Sequence, residues 1–501
     1  MKIQVKQGNG LEEAAQVVVV TVFEGVTKPT GFLKEIDDRV NQQLSTLIKR
    51  GIFFGKQDQV LTVHGVYDKH AFSVLFMGLG KKETCDYVRL RHIAGNASRA
   101  AISLKSSEVS WIVDAELSGS FDAFKLGQSL TEGFLMGKYQ YTTYKSSDET
   151  THISGLTFSL DSGKIKNEFT RGHTKGIILA ESVIIARDLA NAPPNVLTPK
   201  HFVEEAKKTF KKIPSVSIEV IDKKKALKLG MHAFLGVAQG SVLDPYMLVL
   251  SYNVQKKSTP ICFVGKGVTF DTGGISIKPA AKMQDMKADM TGGASVLAAL
   301  YAIARLESKG SFMAVIPLVE NMPSGNAQRP GDIVTAMNGK TIEIINTDAE
   351  GRLILADALC YAVSQGASQL IDIATLTGAC SVALGSAAAG ILGNNQNMIH
   401  RFEEISHFTG EKVWQLPLYE EYLELLKSDV ADISHCYEGR EGGTCTAAKF
   451  LEQFVDKTPW VHLDIASVMM YKENKGYRVK GMAAEGVRNL IEYACQPALL
   501  K

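Results

Sequence analysis

The 501-residue sequence has no Cys-x-x-Cys pair, no His-Glu-x-x-His, no run of five like charges and no apolar stretch that would span a bilayer. Each absence excludes something. The seven cysteines, Cys85, Cys262, Cys360, Cys380, Cys436, Cys445 and Cys495, are odd in number and scattered. That argues against a disulfide framework or a zinc ribbon and predicts a reducing compartment. Lys plus Arg number 55 against 53 for Asp plus Glu, so no polyanion-binding surface is indicated and nucleic acid is not an expected partner. The N-terminus lacks the apolar core of a secretory signal, and acidic residues in the first forty positions are unlike a transit peptide, so a cytoplasmic protein is expected. The most membrane-like segment, Gly378 to Gly393, is short and made largely of Ala, Gly and Ser. A helical span needs ~20 apolar residues, and this segment reads instead as a packed or loop-rich core piece. Asn96-Ala97-Ser98 matches a glycosylation acceptor only by chance in such a protein. Gly265-Lys266-Gly267 lacks the spacing of a phosphate-binding loop.

What is present is an ordinary globular composition, 45% hydrophobic and 22% charged. At roughly 150 residues per domain the length allows about two to four domains. In the first third, apolar runs at Gln16 to Phe23, Ala71 to Met77 and Val109 to Asp114 alternate with helical spacings at Asp86 to Leu104 and Phe121 to Met136, which implies an α/β domain. The chain turns polar between Tyr139 and Arg171, placing a boundary near residue 165. A linker helix within 166–195, centred on Thr174 to Leu189, stops at Pro193-Pro194. From 196 to 501, strands are expected at Val216 to Asp222, Tyr246 to Tyr252, Ile261 to Phe270, Phe312 to Val319, Thr341 to Asn346 and Gln369 to Ala374, with helices at Ser295 to Arg305 and Leu353 to Ser364. This too reads as α/β, with a largely parallel or mixed sheet.

In such folds chemistry collects at the carboxyl ends of strands. Two segments lie there. One runs Val264 to Gly274 and on through Lys278-Pro279 and Met286 to Met290; the other is Asn346-Thr347-Asp348-Ala349-Glu350-Gly351-Arg352-Leu353. Asp348, Glu350 and Arg352 alternate, so an extended turn would point them the same way. Taken singly, each has an ordinary explanation: Asp348 as a helix cap, Lys278-Pro279 as an exposed turn, Gly273-Gly274 as tight backbone. Jointly, Asp271, Asp289, Asp348 and Glu350 would repel unless cations gathered them, and their four negative charges balance two divalent ions. Lys266 would ligate only as a neutral amine, its pKa lowered by burial and metal. Two metals roughly 3.5 to 4 Å apart activate a bridging water and polarise a carbonyl or phosphoryl oxygen. Lys278 would then stabilise an oxyanion and Arg352 hold an anion.

The segment Asn346 to Leu353 resembles the signature of the cytosolic leucine aminopeptidase family. Asn191 to Pro199, Val264 to Gly274, Lys278 to Ala280, Met286 to Met290, Asn321 to Ala327, Arg329 to Asp332 and Asp372 to Gly378 are similar to that family in order and spacing. The resemblance implies a small N-terminal α/β domain, a larger C-terminal catalytic α/β domain with a central mixed sheet flanked by helices, and a homohexamer. It implies one metal site at Lys266, Asp271, Asp289 and Glu350, and another at Asp271, Asp348 and Glu350. Zinc is the expected metal, with manganese, magnesium or cobalt at the exchangeable site. Lys278 corresponds to the catalytic lysine and Arg352 to the arginine that holds bicarbonate, the general base. Met286, Thr375, Gly378, Ala466 and Met469 correspond to an uncharged side-chain pocket for N-terminal Leu, Met and similar residues of a peptide, and Asn346 and Leu376 to positions that touch the substrate through polar or backbone groups.

Thr291 stands where a small residue is expected, and Gly481-Met482-Ala483-Ala484-Glu485 replaces the usual Gly-Arg-Pro step. None of the eleven histidines forms a ligand pair, and His435 beside Cys436 is not expected to bind metal. Two rivals remain on sequence: a dinuclear phosphoesterase, whose phosphate Lys278 and Arg352 would clamp, and a non-catalytic scaffold or DNA-binding paralogue.

Overall fold

A computed structural model describes residues 1–8, 15–67, 70–146, 152–439 and 441–495. The chain forms two compact units, Met1–Glu181 with Lys472–Lys480, and Ser182–Tyr471 with Gly481–Lys501. In the first, six strands are ordered Lys2–Gln7, Gly155–Leu160, Glu108–Val113, Val17–Phe23, His70–Gly80 and Val60–Tyr67. Neighbours run parallel except the last pair. Val17–Phe23 is a run of β-branched residues buried along its whole length, which is what a central strand covered on both faces requires. The helices Tyr87–Ser103 and Ala123–Gly137 meet through glycines. A Cβ on Gly137 would lie 2.3 Å from the Cα of Gly95, so only hydrogen permits this approach.

Strand Gly155–Leu160 lies inside the polar stretch read as a boundary, part of which, 147–151, is outside the described residues. The strand escapes notice because Thr157 and Ser159 interrupt its apolar residues. The helix that follows is longer than its apolar spacing indicates, Lys166–Asn191, and the two units part within it. Lys472–Lys480 groups with the first unit, although 196–501 reads as one domain in sequence.

In the second unit the principal sheet is mixed. Its order is Val413–Gln415, Ala389–Gly393, Trp460–Asp464, Gln369–Ala374, Ile261–Gly265, Phe312–Asn321, Tyr246–Tyr252 and Val216–Ile221, and Gly267–Asp271 adds beside Phe312–Asn321. Trp460–Asp464, Gln369–Ala374, Ile261–Gly265, Gly267–Asp271 and Phe312–Asn321 are mutually parallel, so their carboxyl ends share one edge. The Ala- and Leu-rich helices Thr291–Arg305 and Glu350–Ser364 are buried against this sheet.

The expected single strand Ile261 to Phe270 is two, broken at Lys266. The Lys266 N–H donates to Ile373 O at 3.1 Å, and its carbonyl accepts from Gly293 N at 2.7 Å. Gly265 permits this because a Cβ there would sit 2.5 Å from Gly292 O. Gly378 to Gly393 is not a continuous core piece either. It forms the surface helix Gly378–Leu384, where Val382 is 89% exposed, and then the buried strand Ala389–Gly393. Small residues satisfy both settings, so composition alone could not separate them. Among the described residues no helix is long and apolar enough to cross a membrane.

Candidate metal centre

The parallel edge delivers the predicted charged residues to one place. Lys266 leaves the strand break, Asp271 ends Gly267–Asp271, Asp289 follows the short helical turn Met283–Ala288, and Glu350 opens the helix Glu350–Ser364. Lys266 Nζ lies 2.8 Å from Asp289 Oδ2 and 2.8 Å from Glu350 Oε1, and donates to Thr375 O at 3.0 Å. Lys278 Nζ is 2.8 Å from Asp271 Oδ2 and also pairs with Asp348 Oδ1. Carboxylate oxygens of Asp271, Asp348 and Glu350 all lie within 4.8 Å of one another. Asp348 does not cap the helix: the preceding residue is Ala349, with no side-chain cap bond.

Asp348 and Glu350 converge, but Arg352 departs from the expected common direction. Glu350 already begins the helix, and two residues of helix turn a side chain through about 200°. Arg352 instead donates from Nη1 to His435 O at 3.0 Å, while its buried Nε has no hydrogen-bond partner.

Four buried or half-buried carboxylates face two ammonium groups, an excess of two negative charges when all are ionised. Burial followed by the Glu350 charge pushes Asp271 up to about 6, against the pull of Lys278 and Lys266. Burial raises Asp289 and Asp348 as well. Glu350 is equally buried, yet Lys266 and Lys278 hold it below its ordinary value. Burial works against the charged form of Lys266, but Asp289, Glu350 and Asp271 outweigh it and hold the ammonium above its ordinary value. A neutral Lys266 therefore does not describe this arrangement; its deprotonation needs positive charge from elsewhere.

The donor set fits divalent ions. Asp289 Oδ2, Asp348 Oδ1 and Glu350 Oε1 are buried, and each faces a lysine ammonium and no further hydrogen-bond donor. Two ammonium groups leave the four carboxylates two positive charges short, and buried anions in excess are costly unless further positive charge joins them. Gly351 is held by the same crowding, since a Cβ there would meet Lys266 Cε at 2.5 Å.

Comparison with known proteins agrees. The catalytic-domain model of the cytosol aminopeptidase family matches residues 184–491, and its N-terminal-domain model matches 19–148. The chain belongs to the cytosol aminopeptidase family. It is therefore a peptidase, a hydrolase, rather than a phosphoesterase or a scaffold. It is 40% identical over 484 residues to the cytosol aminopeptidase of Pseudomonas aeruginosa, covering 96% of each chain. It is 42% identical over 482 residues to a probable cytosol aminopeptidase of Solibacter usitatus, again covering 96% of each. Among solved structures, the bottromycin maturation enzyme BotP in complex with Mn has a TM-score of 0.84 and 31% identity, covering 95% of this chain and 98% of that one.

In this cytosol aminopeptidase family member the expected substrate positions are placed unevenly. Thr375 joins the cluster, its hydroxyl donating to Asp289 Oδ1 at 2.7 Å. Asp464 gathers two more by backbone, accepting from Leu376 N at 3.2 Å and Ala466 N at 3.1 Å on the same oxygen. Asn346 is exposed, and its Oδ1 accepts from Asp348 N at 2.9 Å, so it shapes the loop that carries Asp348. Met286 is half-buried, and its carbonyl accepts from Asp289 N at 3.3 Å; Met469 is half-buried and Gly378 is exposed. Thr291 is fully buried, its hydroxyl donating to Ala288 O at 2.5 Å.

The sequence reading missed the residues that hold the clustered acids and their loop in place. Asn321 Nδ2 donates to Asp271 Oδ1 at 2.8 Å and to Thr347 O at 3.1 Å. Thr347 Oγ1 donates to Gly273 O at 2.7 Å and accepts from Ser276 N at 2.8 Å. Both lie in segments the family resemblance covers, and a polar residue at a buried strand end was the available signal.

Proposed function

We propose that this chain removes N-terminal residues from peptides, with two divalent ions held by Lys266, Asp271, Asp289, Asp348 and Glu350. The observation that carries this reading is one cluster of four carboxylates around two ammonium groups, with oxygens of Asp271, Asp348 and Glu350 within 4.8 Å of one another and two negative charges in excess. When bound, such ions supply Lewis acidity and bring the pKa of a shared water toward neutrality. The chain's own groups do the rest. Lys278, 21% exposed at its side chain between Asp271 and Asp348, is placed to donate a hydrogen bond to the oxyanion that develops on a scissile carbonyl. Arg352, with a buried and unpaired Nε, is the anchor for bicarbonate as general base. Asp271 and Asp289, fixed by Asn321 and Thr375, keep the ligand geometry.

Zinc is the proposed resident metal, with manganese, magnesium or cobalt at the exchangeable site; the manganese in BotP is in keeping with this. Met286, Thr375, Gly378, Ala466 and Met469 form an uncharged side-chain pocket in this reading, favouring Leu and Met at the peptide N-terminus, and Asn346 and Leu376 touch the substrate through polar or backbone groups. A cytoplasmic homohexamer is the proposed working form.

The test is metal per subunit measured beside hydrolysis of leucine p-nitroanilide, with p-nitrophenyl phosphate as control, for wild type and Asp348→Ala. Close to two divalent ions in the active wild type, with fewer ions and lost turnover in the variant, is expected. A wild type that hydrolyses the anilide after exhaustive metal removal overturns the reading.

A further inference from the structure

Resting on the metal-binding reading above, we propose that His435 is a positioning residue that fixes the loop carrying Asp348 and Glu350, using its ring on one side and its carbonyl on the other. His435 follows the two-residue strand Ile433–Ser434, which pairs in parallel with Thr341–Glu343. Its N–H donates to Glu343 O at 3.1 Å. Its ring, fully buried, meets the backbone just beyond: Nδ1 accepts from Ile345 N at 3.1 Å, and Nε2 donates to Asn346 O at 2.8 Å. Its carbonyl accepts from Arg352 Nη1 at 3.0 Å. One residue therefore holds positions 343, 345 and 346 before the two acids and Arg352 after them.

These contacts select one ring form. Ile345 N–H needs a lone pair on Nδ1 and Asn346 O needs a proton on Nε2, which together define a neutral imidazole. Glu343 O also lies 3.2 Å from Nδ1 but would bond it only if Nδ1 carried a proton, which with Nε2 still donating to Asn346 O makes the ring charged. Burial and the Arg352 guanidinium hold that form off, keeping the pKa down at about 4. The effect reaches the cluster through Asn346, whose carbonyl the ring holds and whose Oδ1 fixes Asp348 N. A ligand acid supported in this way loses about 10- to 100-fold in metal affinity or activity when its support is removed.

The experiment compares His435→Leu, His435→Gln and His435→Asn with wild type. It measures Mn²⁺ binding to metal-stripped protein by equilibrium dialysis, and kcat and KM for leucine p-nitroanilide. His435→Leu keeps an apolar bulk without polar atoms, and is expected to bind the weaker Mn²⁺ at least about 10-fold less tightly. Its kcat should fall by about 10- to 100-fold, with KM within about threefold of wild type. His435→Gln retains a neutral donor long enough for Asn346 O and should restore most of both. His435→Asn is one bond too short and should not. A Leu variant that binds Mn²⁺ and turns over within about threefold of wild type overturns the proposal. Should His435→Leu not fold, the Gln and Asn pair decides: Gln near wild type with Asn impaired supports the proposal, and any other order defeats it. A wild type that binds no divalent ion would instead refute the metal reading itself.

Discussion

Two clusters, one in each unit, bury charge in opposite ways. In the first, Arg91 Nε meets Glu132 Oε2 at 2.6 Å with both side chains fully buried, and Gln128 Nε2 donates to Glu132 Oε1 at 2.7 Å. One cation answers one anion, and each carboxylate oxygen accepts a bond. In the second, four carboxylates gather around two lysines, which leaves two negative charges in excess. Both units are α/β layers built from buried β-branched strands, so fold class does not distinguish them. Charge closure does. Where a buried set sums to zero with its bonds made, it serves the fold; where it leaves a surplus, protons or cations must complete it.

The sharpest way to break this contrast is Glu350→Ala, which removes an acid shared by both proposed ion sites. Metal per subunit and hydrolysis of leucine p-nitroanilide should both fall to background, a loss of at least about 10³-fold in kcat/KM. In the other unit, Glu132→Ala strands a buried guanidinium. Unfolding free energy from urea titration should drop by about 3–5 kcal/mol, while metal content of the folded fraction stays at the wild-type level. If Glu132→Ala also lost metal, the division between the two kinds of charge would be wrong. Lys278→Ala should retain its metal and lose about 10²–10³-fold in kcat, as expected for the removal of one oxyanion donor. Metal loss in that variant would assign the lysine to holding the ligands together instead.

The smallest effect concerns His173, buried with Nδ1 3.0 Å from Thr131 Oγ1. Burial lowers its pKa from 6.5 to about 4. A depressed histidine contributes stability that is complete above the unfolded value and is lost as pH falls toward the folded one. Unfolding free energy should therefore decline by up to about 1.4 kcal/mol per pH unit between those values. His173→Gln should flatten that part of the profile, as urea midpoints at several pH values would show.

The acidic cluster was legible because four acids in two segments near strand ends could share a site only with cations among them. Asp271 follows Val268 to Phe270 and Asp289 precedes a buried helix, so local pattern sufficed. The break at Lys266 was not legible. Ile261 to Phe270 is apolar enough for one strand, and only the approach of Ile373 and Gly293, remote in sequence, takes Lys266 out of it. His435 was hidden for the same reason: its partners are backbone groups about 90 residues earlier, which carry no side-chain signal. Lys472–Lys480 joins the first unit by contacts such as Gly476 N to Asn96 Oδ1 at 3.1 Å, and nothing in its charged composition announces a partner so distant in the chain.

Gly351 lies where Lys266 passes beneath the helix start, so a Cβ there would push the Lys266 ammonium out of its ion pairs with Asp289 and Glu350. Tolerance to replacement at this position should then be as low as at its charged neighbours, although glycine has no reactive atom. A library of all substitutions across 346–352, selected on growth with a leucyl peptide as nutrient, would show an empty column at 351. An uncharged residue would thus rank among the least replaceable in the enzyme, by virtue of the volume it leaves open.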